Sequence, residues 1–158
     1  MGDSALIDAV REICARDPRF HADSYLFVLE TLEFTAKMLN KPNKSGRERH
    51  VAGRELLEGV RHFALQEYGP MAFTVLSRWG IERTEDIGEI VFNLVDAGKL
   101  RKTDEDSKSD FANGFDFTDA FVVPFLPETG KDGPSARATR SSKDPQKRQT
   151  GNSSSETT

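Results

Sequence analysis

The chain has 158 residues, enough for one domain with a substantial core and too few for two. From Pro127 onward it contains no Phe, Leu, Ile, Val, Met, Trp or Tyr, so residues 127–158 are expected to form a disordered Ser/Thr/Lys/Arg-rich tail beside a single domain over residues 1–126. The tail carries six Lys/Arg and four Asp/Glu against a whole-chain charge of −4, which leaves the folded part near −6 and disposes it against phosphate backbones.

The first segment has no basic stretch followed by an apolar run, and no later run approaches membrane-spanning length. A soluble, cytoplasmic protein with no membrane contact is the expectation. Ser4 can cap a first helix through Ala15, with Leu6, Ile7, Val10, Ile13 and Cys14 at helical spacing. Cys14 is the one cysteine, which excludes an internal disulfide and reads as a small apolar residue. Asp17-Pro18 ends this helix. A second helix is expected from Asp23 to Leu39, with Tyr25, Val28, Leu29, Leu32, Ala36 and Leu39 as its core stripe and His21 as a capping or surface residue.

Residues 40–49 form a polar, basic connection broken by Pro42 and Gly46. The third helix spans Gly53 to Tyr68, stopped by Gly69. A fourth runs from Pro70 to Trp79 with Gly80 as its left-handed terminator, and Thr84 caps a fifth through Ala97, ended by Gly98. Lys99–Thr103 and Gly114–Phe117 then have strand character. The fold class is mainly α with a small β-ribbon: a helical domain whose second half resembles a winged helix-turn-helix.

The second helix of that pair is acidic where a DNA reader is basic. With Ile87, Ile90, Val91, Leu94 and Val95 buried, the exposed face presents Glu85, Asp86, Glu89, Asn93 and Asp96, and carboxylates repel phosphates at close range. Nucleic acid is therefore disfavoured; a simple solvated face is the first reading of these carboxylates, ahead of a dedicated surface on which a protein partner docks. Two other surfaces are candidates. One is Phe115 and Phe117, set by alternation on one strand face, which core packing explains first and an exposed edge that adds a partner strand second. The other is the basic loop 41–54 with Lys44, Arg47 and Arg49, which together with the tail suits a nucleic-acid-binding regulator.

No catalytic motif is present, so a non-enzymatic protein-interaction or adaptor module without cofactor is expected. A small enzyme or metal-binding protein using His50, Glu58 and His62 is the remaining alternative, although neither paired histidines nor a repeated Glu-x-x-His occurs. Asp104, Asp106 and Asp110 lack the spacing of a calcium loop.

The runs RELLEGVRHFAL, YGPMAFTVLSRWG, DIGEIVFNLV and FDFTDAF resemble a family of conserved hypothetical proteins restricted largely to planctomycetes and verrucomicrobia. The likeness covers residues 20–125. It implies a bacterial cytoplasmic protein of about this size and transfers no catalytic residue. The basic stretch Asn43–Glu48 departs from the family as an insert.

Overall fold

A computed structural model describes residues 2–127. The chain divides after Val122 into two units, Met1–Val122 and Val123–Thr158. Of the second, residues 123–127 are described and contain a short 3-10 turn at Val123–Phe125. The disordered tail expected from residue 127 lies, beyond Pro127 itself, outside the described residues.

The first unit is helical. Helix α1 (Gly2–Arg16) buries Val10 and Ile13. Beyond it the Asp17 carboxylate accepts bonds from the Arg19 backbone amide and guanidinium, which fixes the corner into the next helix. Helix α2 (Ala22–Met38) is capped by His21, whose Nδ1 accepts the Asp23 amide at 3.0 Å. Its most buried face is Tyr25, Phe27, Val28, Thr31 and Thr35, rotated from the expected stripe, while Leu29 and Leu32 are only half-buried. The rotation follows from close packing on α3 (Gly53–Tyr68). A methyl group on Gly59 would overlap the Thr35 hydroxyl, so the helices approach where one side chain is absent. The Thr31 and Thr35 hydroxyls donate back to the carbonyls of Phe27 and Thr31, so these polar groups are buried without an unmet hydrogen bond.

The basic connection folds into two 3-10 turns, Lys41–Asn43 and Gly46–Arg49. Helix α3 has the expected bounds, its first turn closed by Glu55 Oε1 accepting the Ala52 amide. A 3-10 turn at Gly69–Met71 leads into the short α4 (Ala72–Arg78), and Gly80, at φ 93°, reverses the chain. Helix α5 (Thr84–Asp96) begins one residue before the expected helical start, with Arg83 at the cap position. Thr84 therefore lies inside the helix. Asp86 closes the end instead by accepting the Glu82 and Arg83 amides.

The β-ribbon is not present: among the described residues there is no strand, and with no ribbon there is no wing. Lys99–Thr103 is irregular, residues 108–111 form a 3-10 turn, and Phe117 opens helix α6 (Phe117–Phe121), capped by Asp116 accepting the Asp119 amide. The physical reason is where the backbone bonds go. Thr84 Oγ1 donates to the Phe111 carbonyl at 2.6 Å and accepts the Gly114 amide at 3.0 Å. Glu85 accepts the Asn113 amide at 3.2 Å. Side chains of one helix terminus thus satisfy groups that a ladder would otherwise have to satisfy. Burial adds to this, because the Phe111 ring fills the space left by two glycines. A methyl group on Gly53 would lie 3.0 Å from that ring, and one on Gly88 2.8 Å from it. Phe117, Ala120 and Phe121 are buried at helical spacing, which favours a helical turn over an extended edge.

Candidate functional site

The return of residues 99–111 across α2, α3 and α5 leaves a cleft of about 300 Å³. Its walls are apolar: Leu32 from α2, Leu56 from α3, Val91 and Phe92 from α5, then Leu100 and Phe111 from the returning segment. Its rim is polar and draws on the two ends of that structure, Arg49 and His50 before α3, and Arg101, Lys102, Asp106 and Asp110 after α5. A second cavity of about 360 Å³ adjoins it on the side of Lys41, Arg54 and Thr103, and both are lined by His50, Gly53, Asp106 and Asp110.

The His50–Asp106 pair stands between the two cavities. Nε2 of His50 lies 2.8 Å from Asp106 Oδ2, the same oxygen that accepts the Thr103 amide at 2.7 Å. Partial burial pushes the Asp106 carboxyl up, but the Thr103 amide and the His50 ring outweigh it and hold the group below its ordinary range. The carboxylate therefore orients the imidazole and fixes the start of the loop. Asp110 is engaged as well, closing its own turn through the Ser107 amide.

The expected site residues divide. On α5, Glu89 Oε1 pairs with Arg19 and Lys108, each at 3.2 Å. Burial raises that carboxyl, and the two cations lower it further, to a net position below the usual. Glu85 is lowered by backbone amides, its own and that of Asn113. Asp86 closes the helix start, with Arg83 at 3.8 Å. Asn93 donates to Asp17 and to the Tyr25 hydroxyl, both at 3.0 Å. Asp17 itself, hydrogen-bonded by Arg19, is held well below the carboxylate range. Four of the five face residues are thus tied into the fold, and Asp96 is exposed.

In the basic loop, Lys41 turns inward to Glu55 at 3.3 Å, with its side chain 12% exposed. Lys44 points to solvent, Arg49 reaches the cleft, and the side chain of Arg47 is outside the described set. Phe115 and Phe117 do lie together, stacked with ring centroids 5.5 Å apart, but both also pack on Phe121 beside α6 and offer no strand edge. Glu58 and His62 form a surface cluster with Arg61 on α3, whereas His50 turns to Asp106. Among the described residues no group of three His, Cys, Asp or Glu side chains is placed to hold a metal ion. Cys14 is half-buried, and burial with the nearby Asp17 charge pushes its thiol up, away from reactive thiolate.

Sequence reasoning did not assemble the cleft. His50 and Asp106 are 56 positions apart, and Arg101 stood in a run taken for a strand. One signal was available: Leu100 and Phe111 are isolated large apolar residues in a polar stretch, and Leu and Phe are among the residue types most often buried. Comparisons with protein-family models, curated proteins and solved structures found no match. Among the described residues no helix is long and apolar enough to cross a membrane.

Proposed function

We propose that this chain is a non-enzymatic binding module whose binding site is the cleft between α2, α3, α5 and the segment 99–111. The observation that supports the reading is a concave apolar volume with a few convergent polar groups at its mouth. At about 300 Å³ the cleft meets the lower end of the range typical of small-molecule sites. The acidic face of α5 supports a docking role less well, because its carboxylates already serve internal bonds. The bacterial, cytoplasmic setting implied by the family resemblance belongs to the same proposal.

The reading is tested with a neutral apolar probe. Titration of 1-decanol into the ¹⁵N-labelled full chain is expected to shift amide signals of Leu32, Val91 and Leu100 saturably. An Ala36→Phe variant, which adds bulk to the cleft wall, is expected to lose those shifts while keeping the parent far-UV spectrum. Shifts scattered over the surface, or none at these positions, would overturn the reading.

A further inference from the structure

We infer that the ligand of this cleft is an amphipathic organic acid, an apolar body carrying one carboxylate head, with Arg49 and Arg101 receiving the head. The inference rests on the binding-module reading and adds the chemical class. The charges at the rim support it. Both rim carboxylates are already engaged, Asp106 with His50 and the Thr103 amide, Asp110 with the Ser107 amide. Lys102 donates to the Thr103 carbonyl at 3.2 Å. Arg49 and Arg101 line the same cleft, and neither has an ion-pair partner among the described residues.

Among the described residues Arg11, Arg19, Arg61 and Arg83 each find a carboxylate, whereas Arg16, Arg54 and Arg78 share the lack of one; what sets Arg49 and Arg101 apart is that both line the apolar cleft. Two arginines left unpaired at the mouth of an apolar cleft, where carboxylates are otherwise plentiful, complement an anion supplied from outside. Guanidinium suits the task, since its planar fork takes a carboxylate through two parallel hydrogen bonds. The walls impose the second requirement. Leu32, Val91 and Phe92 offer no hydrogen bonds from their side chains, so a wholly polar anion gains nothing by entering. A cationic amphiphile meets the same walls, but the rim carboxylates it would seek are already hydrogen-bonded and the two arginines oppose it. Only a molecule with both an apolar body and an anionic head satisfies the two parts together.

The test compares sodium decanoate, 1-decanol, decyltrimethylammonium and inorganic phosphate, each titrated into the full chain below its aggregation concentration and followed by amide shifts and calorimetry. Decanoate is expected to bind at least about tenfold more tightly than decanol, corresponding to about 1.4 kcal/mol. Each added methylene from octanoate to decanoate is expected to tighten binding about fourfold. The double variant Arg49→Gln/Arg101→Gln should bring decanoate to the affinity of decanol and leave decanol unchanged. Arg78→Gln, exposed on α4 and away from the cleft, should alter neither. Decanol binding as tightly as decanoate would remove the acid head while leaving the binding-module reading intact. Phosphate matching decanoate would remove the apolar body. Failure of every probe would overturn both readings.

Discussion

Gly59 and Thr35 decide how closely α2 and α3 approach, and neither is apolar in the sense that periodicity detects. A methyl group at Gly59 would collide with a hydroxyl that is itself bonded to the Thr31 carbonyl, so it cannot swing away without breaking that bond. Overpacking of this kind costs about 1–3 kcal/mol. Gly59→Ala is therefore expected to lower the unfolding free energy measured by urea denaturation by that amount, and Thr35→Ala in the same chain to restore part of the loss through a non-additive cycle. Equal costs with and without Thr35 would show that the crossing is looser than described. Spacing in the sequence identified both helices but misplaced the stripe of α2. Thr31 and Thr35 counted as polar there, although each satisfies its hydroxyl within its own helix and is fully buried.

At the scale of elements, the helices were legible and the segment after α5 was not. Gly69, Gly80 and Gly98 sit where the chain leaves its helices, and all three have positive φ, as glycine-terminated helices require. The two supposed strands failed because a short polar run carries no record of its distant hydrogen-bond partners. Thr84 is the case in point. Its position before an acidic turn suited a cap, yet it bonds 27 and 30 residues ahead, to Phe111 and Gly114. Thr84→Val keeps the shape and removes both bonds, leaving buried groups unmet at about 1–3 kcal/mol. The expected result is a loss of stability in that range, with faster amide exchange at Gly114. Thr84→Ser should retain both bonds and protect Gly114. Unchanged exchange in the Val variant would mean that packing of Phe111 alone holds the segment.

At the scale of the whole molecule, charge and burial cooperate to place one face inward and leave one cleft open. The acidic α5 that argued against groove binding uses its carboxylates on Arg19, Lys108 and nearby backbone amides, so much of its charge is compensated inside the fold. The cleft exists only because residues 99–111 fold back beside α5; a ribbon projecting as a wing would leave Val91 and Phe92 without their cover. None of this could be read locally, since the walls come from four separated stretches of chain. The most direct measurement is a nuclear Overhauser spectrum of the ¹³C,¹⁵N-labelled chain in solution. Strong contacts from the Phe111 ring protons to the α-protons of Gly53 and Gly88 are expected. Cross-strand α-proton contacts between residues 99–103 and 114–117, without those ring contacts, would contradict the returning segment and the cleft it encloses.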